Sequence, residues 1–220
     1  MTQTMRDSQR SVELLGTDDS DLQFREALAD LFTGDGTIYL VSGYFTYLGY
    51  RSIRPDIAAF LERSRDNELV VIVGPASDQF SARIAYDLWK LDEYDQVQIY
   101  KRSRGLHAKL YLRDGPNPRC IIGSGNITQV AFEYNVELNV DVRRPSSDHP
   151  DIEQFLGWLE EMIDAAEPLR RRDILGPMQI ASSFVNWSNK ARLLPMRNVA
   201  LRVIPILLLI LVLGAGLRFI

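Results

Sequence analysis

The sequence predicts an α/β protein: a mixed, largely buried β-sheet flanked by helices on both faces, plus an apolar helix at the C-terminus. Three observations carry this. Leu69-Val-Val-Ile-Val is too continuously apolar for a strand with one wet face, so its sheet is covered on both sides. Segments with apolar residues at helical spacing alternate with strand-like runs, the order of an α/β sheet. From 203 to 217 the chain is uninterrupted apolar sequence.

The elements follow in order. The polar first nineteen residues show no signal-peptide pattern and read as a flexible lead-in, 1–19. Ser20-x-x-Gln23 forms a capping box ahead of Phe24, Ala27, Leu28 and Leu31 at helical spacing, and Gly34-Asp-Gly ends that helix. A buried strand is expected over 37–45, a helix over 55–65, a strand over 69–74, a helix over 79–91 and a strand over 97–102. Three strands come next, over 107–112, 119–122 and 135–140. An amphipathic helix over 151–167 then presents Ile152, Phe155, Leu156, Leu159 and Ile163 on one face, with Pro150 at its start. Residues 20–168 thus form one domain, with no internal repeat, and 169–198 read as a linker.

Composition excludes several classes. The formal charge of −4 rules out a generally basic coat, so any contact with a polyanion is local. Such a patch exists: Lys101, Arg102, Arg104, Lys109, Arg113 and Arg119 are opposed in that window only by Asp114. Cys120 is the single cysteine, so no intrachain disulfide forms; within an apolar strand it reads as core filler. Only His107 and His149 are available, which leaves no Cys/His zinc site, and His149 reads as a solvated cap before a helix.

The chemistry concentrates in one region. In His-Ala-Lys-Leu-Tyr-Leu, over 107–112, strand alternation puts His107 and Lys109 on one face. The next strand ends in Gly123-Ser-Gly-Asn126, whose small residues let a ligand approach the backbone. In the third, Asn135, Glu137 and Asn139 alternate with Val136, Leu138 and Val140, so Glu137 can be aimed at the same place. A cation, amide donors and a histidine oriented by a carboxylate are the parts needed to hold a phosphate and attack it.

These residues resemble the phospholipase D superfamily, whose pattern is His-x-Lys-x4-Asp, then Gly-Ser-x-Asn, then a Glu on a later strand. Asp114 falls at the Asp position, and Ser124, Asn126 and Glu137 follow in order. Ser42-Gly-Tyr-Phe45 and the strand over 70–74 also fit the bacterial and archaeal branch of single-motif, endonuclease-like proteins. The resemblance covers 21–144. It departs from the common spacing at the longer turn Gly115-Pro-Asn-Pro118, which bears on the supporting role of Asp114 alone.

The resemblance implies a metal-independent, cofactor-free phosphodiesterase, a nuclease acting on DNA. His107 attacks phosphorus and forms a phosphohistidine, Glu137 fixes its tautomer, and Lys109, Asn126 and Ser124 hold the non-bridging oxygens. Lys101, Arg102 and Arg104 are the expected nucleic-acid contacts. One motif copy leaves the leaving oxygen without its acid, which implies a homodimer with a shared site. Two alternatives stand beside this: a phospholipid-directed enzyme of the same superfamily, and a catalytically idle polyanion-binding module.

The fifteen apolar residues of the tail span about 22 Å as a helix, and 199–220 gives about twenty residues if Arg202 and Arg218 snorkel. The run is apolar all round rather than on one face. It is therefore read as a transmembrane anchor over a core helix or an altered terminus. Lys190, Arg192, Arg197 and Arg202 ahead of it place the catalytic domain on the cytoplasmic side.

Overall fold

The computed structural model describes residues 11–16, 23–74, 82–102 and 105–171. Eight strands form one sheet: β1 (Ser11–Gly16), β2 (Thr37–Ser42), β3 (Glu68–Val73), β4 (Val97–Lys101), β5 (Lys109–Asp114), β6 (Arg119–Gly123), β7 (Leu138–Arg143) and β8 (Glu167–Pro168). Five helices accompany them: α1 (Gln23–Leu31), α2 (Tyr47–Arg63), α3 (Ala82–Leu91), α4 (Gln129–Glu133) and α5 (Pro150–Asp164). The strand order is β1-β7-β6-β5-β2-β3-β4-β8. β2, β3 and β4 run parallel, and every other pairing is antiparallel.

Alternation along each strand divides the core in two. Leu40, Val71, Ile99, Tyr111 and Ile121 point to one face, where α1, α2, α3 and α4 bury residues such as Leu28, Ile57, Leu88 and Phe132. Val41, Ile72, Leu112, Cys120 and Val142 point to the other, where α5 packs through Ile152, Phe155, Leu159 and Met162. Helices therefore cover both faces, as the apolar run over 69–74 predicts. Among the described residues the coverage is unequal, with four helices on one side and one on the other. The mixed directions bring the C-terminal ends of β2 and β6 and the N-terminal ends of β5 and β7 to a single edge.

Several expectations need correction. Ser11–Gly16, read as part of a flexible lead-in, is an edge strand in register with β7 from Ser11↔Arg143 to Gly16↔Leu138. The capping box at Ser20 lies outside the described residues. α2 starts eight residues before Pro55: Thr46 caps it by accepting from Gly49 N at 3.2 Å. Pro55 removes one helical hydrogen bond, a cost of about 3 kcal/mol in a free helix. Here Pro55 faces solvent while Tyr50, Ile53, Ile57 and Phe60 are fully buried on the other side, and their packing outweighs it.

The third strand of the motif begins later than its alternation suggests. Glu137 precedes β7, and the apolar and polar phases are inverted relative to an ordinary half-wet strand. Glu137, Asn139 and Asp141 are buried, whereas Val136 is 84% and Leu138 60% exposed.

Candidate active site

The first strand of the site is fixed by pairing. Ser42↔Lys109 closes the β2–β5 ladder, so the Lys109 side chain is held at the sheet edge and is 6% exposed. Its Nζ donates to His107 O at 2.6 Å and lies 3.2 and 3.4 Å from Nδ1 and Nε2 of the same residue. The shared face predicted by alternation is thereby realised as direct contact between ammonium and imidazole. Burial pushes the Lys109 pKa below its ordinary 10.5, and the nearby Glu137 carboxylate opposes that shift.

The loop after β6 is built by small residues and then held through several of its backbone groups. A Cβ on Gly123 would stand 2.3 Å from Leu138 O, and one on Gly125 would strike the Phe24 ring at 2.6 Å. Ser124 N donates to Leu138 O at 3.1 Å, and Gly125 N donates to Asn139 Oδ1 at 3.1 Å. Gly125 O accepts from Tyr111 OH at 2.7 Å, and Ile127 N donates to Ser42 Oγ at 3.2 Å. Burial pushes the Tyr111 hydroxyl pKa up, which keeps it a donor.

That scaffold orients Asn126. Its Oδ1 accepts from Tyr44 N at 3.1 Å, which fixes the carboxamide and leaves Nδ2 as its free donor among the described residues. Ser124 is placed differently from expectation. Its Oγ donates to Glu137 Oε2 at 2.5 Å and accepts from Leu138 N at 3.0 Å, so its proton is committed to the carboxylate. Glu137 Oε1 accepts from Asn135 Nδ2 at 3.1 Å. The Glu137 carboxylate is thus held by Ser124 and Asn135.

His107, Lys109, Ser124 and Asn126 line one cleft of about 800 Å³. Its other side is apolar, formed by Ala108, Leu110, Ile122 and Leu138 of the sheet and by Phe155 and Trp158 of α5. The cleft brings together an imidazole, an ammonium and an amide donor, with the Glu137 carboxylate within electrostatic range of that ammonium. This set can bind a tetrahedral anion and attack its centre.

Other predicted residues fall elsewhere. Asp114 ends β5 at the opposite edge of the sheet and accepts from the Ser147 hydroxyl, so it does not support the site. Arg119 turns into the protein, donating to Asp141 at 2.9 and 2.8 Å and pairing with Asp30 at 3.1 Å. Arg113 donates to Asn117 O at 2.9 Å, also at that far edge. Lys101 and Arg102 do lie at the site's edge, at the end of β4. Lys101 is exposed, and Arg102 Nη1 donates to Ala165 O at 3.3 Å. Arg104 lies outside the described residues. Cys120 is fully buried, and burial pushes its thiol pKa up. His149 caps α5, its Nδ1 accepting from Asp151 N at 3.2 Å. Among the described residues no group of three or more His, Cys, Asp and Glu side chains gathers.

Ser42, Tyr111 and Asn139 are the positioning residues that the sequence reading missed. Their signal was present in part: Glu137, Asn139 and Asp141 recur at strand spacing in a sheet covered on both faces. Such residues must be buried with partners.

A family model described as cardiolipin synthase, phospholipase D-like domain, matches residues 35–163. The fold is similar to NucT from Helicobacter pylori, with a TM-score of 0.55 and 19% identity over 73% of this chain and 100% of that one. It is similar to Nuc from Salmonella typhimurium, a phospholipase D family member, with a TM-score of 0.56 and 16% identity over 74% and 99%. Phosphatidylserine synthase from Haemophilus influenzae gives 0.56 and 13% over 80% of this chain and 46% of that one. No curated protein sequence matches the chain.

Lys109 holds its charge only below its lowered pKa. Anion binding at the cleft should therefore fail on the alkaline side with a midpoint below 10.5, and Lys109→Arg should move that limb upward. Titration calorimetry of inorganic phosphate against pH measures it; a midpoint at or above 10.5 contradicts the electrostatics described.

Proposed function

The chain belongs to the phospholipase D-like family, and from that premise we propose that it is a phosphodiesterase, specifically a nuclease that cleaves DNA through a covalent phosphohistidine. One observation carries the reading: His107, Lys109, Asn126 and Glu137, drawn from three strand ends, meet at a single sheet edge. A ring nitrogen of His107 forms a bond to phosphorus while the bond to the leaving oxygen breaks, and the electron pair departs with that oxygen. Water then attacks phosphorus and releases the imidazole. Lys109 and Asn126 Nδ2 stabilise charge growing on the non-bridging oxygens. Ser124 and Asn135 hold the Glu137 carboxylate, which favours the charged form of Lys109. Lys101 and Arg102 at the same edge supply attraction for a polyanion. The apolar side of the cleft favours a second reading, in which the same machinery acts on a phospholipid.

The leaving oxygen needs a proton. His149 is occupied in capping α5, so the acid is assigned to His107 of the partner subunit in a two-fold dimer. The reaction proceeds without metal or cofactor, because Lys109 and Asn126 carry the electrostatic role. The apolar run over 203–217 lies outside the described residues, among which no helix is long and apolar enough to cross a membrane. We propose that this run anchors the domain at the cytoplasmic face of a membrane.

His107→Ala should abolish cleavage of plasmid and single-stranded DNA, while His149→Ala leaves it near wild type and EDTA has no effect. Loss in chelator, restored by magnesium or manganese, contradicts the mechanism. Cleavage of phospholipid alone selects the second reading.

Mixing wild type with His107→Ala should lower activity as the square of the wild-type fraction, since each site needs both histidines. A linear dilution excludes the shared site.

The full chain should stay with membranes through high salt and alkaline carbonate, as a spanning helix does. Recovery in the soluble fraction contradicts the anchor.

A further inference from the structure

The cleft is built from two unlike halves. Its polar end lies at the sheet edge, with Lys109 and Asn126 as donors. The remainder of its roughly 800 Å³ is walled by hydrocarbon, a volume in the range of pockets that enclose a whole organic ligand. A substituent of the bound phosphate therefore occupies the apolar half. Phe155 and Trp158 stand three residues apart on α5 and so share a helix face. Both rings are half-buried, packed on one side against the core beneath α5 and presented to the cleft on the other. A flat group can therefore lie against the exposed side of either ring.

We infer that Trp158, with Phe155, forms a stacking wall for an unpaired base next to the scissile phosphate, making single-stranded nucleic acid the preferred substrate. The inference rests on the nuclease reading above. Charge selects a base over an acyl chain as the occupant. Arg102 adjoins the end of α5 at the same edge and gives a neighbouring phosphate of the chain a cationic contact, whereas Lys101 stands opposite Glu167. In a duplex each base is already paired and stacked and cannot reach the wall without first leaving the helix. In a single strand every base offers a free π-face, so the wall discriminates strandedness without reading sequence.

The test compares oligothymidylate with an abasic oligomer of the same length and charge, using full-length wild type, Trp158→Ala, Trp158→Phe and Phe155→Ala. Wild type should cleave oligothymidylate about tenfold or more better than the abasic chain, expressed in KM, and better than a duplex of the same length. That ratio should collapse toward one in Trp158→Ala and persist in large part in Trp158→Phe. The phenylalanine variant also serves if the alanine variant does not fold. Equal cleavage of both oligomers by wild type overturns the stacking wall while leaving the nuclease reading intact. So does an unchanged ratio in Trp158→Ala with loss of a dimer in sedimentation, which would assign the wall to subunit contact. Cleavage of phosphatidylglycerol vesicles, with neither oligomer touched, removes the nuclease reading itself.

Discussion

The geometry of the site depends on one constraint: three polar side chains at strand spacing, Glu137, Asn139 and Asp141, are buried, and their oxygens must take donors from neighbouring elements. Each does so with a different neighbour. Asp141 takes the Arg119 guanidinium through two hydrogen bonds, which ties β7 to β6. Asn139 Oδ1 accepts from Gly125 N and holds the loop after β6, while its buried Nδ2 has no hydrogen-bond partner among the described residues. Glu137 takes Ser124 Oγ and Asn135 Nδ2 and brings its charge within range of Lys109. Removing one partner from such a row strands a buried polar group at a cost of roughly 1–3 kcal/mol. The geometry at the sheet edge is therefore held by the interior rather than by loop stiffness.

The sheet's mixed directions turn that local order into a site. Because β5 runs antiparallel to β2, the start of one and the end of the other coincide, placing Lys109 beside Ser42. Because β6 and β7 alternate again, the loop after β6 and the residues before β7 reach the same edge. Unequal helix coverage supplies the rest. Among the described residues four helices seal one face, while α5 spans the other beside a trough that opens onto the edge holding His107 and Lys109. Polar chemistry and apolar shape thus come from different parts of the fold.

Much of this was legible along the chain. His107 and Lys109 share a face by strand alternation, and the run over 69–74 demands a sheet covered on both sides. The Gly-Ser-Gly-Asn turn needs residues without side chains where Leu138 and Phe24 press in. Less legible were the places where tertiary packing overrides local preference. Pro55 suggested a helix start, but the buried stripe from Tyr50 to Phe60 carries α2 through it. The segment over 11–16 lacked a strong strand pattern because an edge strand buries little; of its residues, Val12 and Leu14 remain 59% and 69% exposed. The basic window from Lys101 to Arg119 looked continuous, yet its members lie at opposite ends of the sheet, since one strand separates Lys109 from Arg113.

The sequence by itself determined the α/β class and the candidate groups, a histidine, an ammonium, an amide and a carboxylate carried on neighbouring strands. Those properties follow from residue type and from periods of two and 3.6, which are local. Tertiary structure alone decided that Asp114 faces away, that the Ser124 proton belongs to Glu137, and that Asn126 presents nitrogen rather than oxygen. It also decided that Phe155 and Trp158, about twenty residues beyond Glu137, wall the same cleft. The physical reason is that a hydrogen bond or a wall depends on what stands opposite in space. Strand order and helix coverage set that neighbour, and no spacing along the chain encodes it.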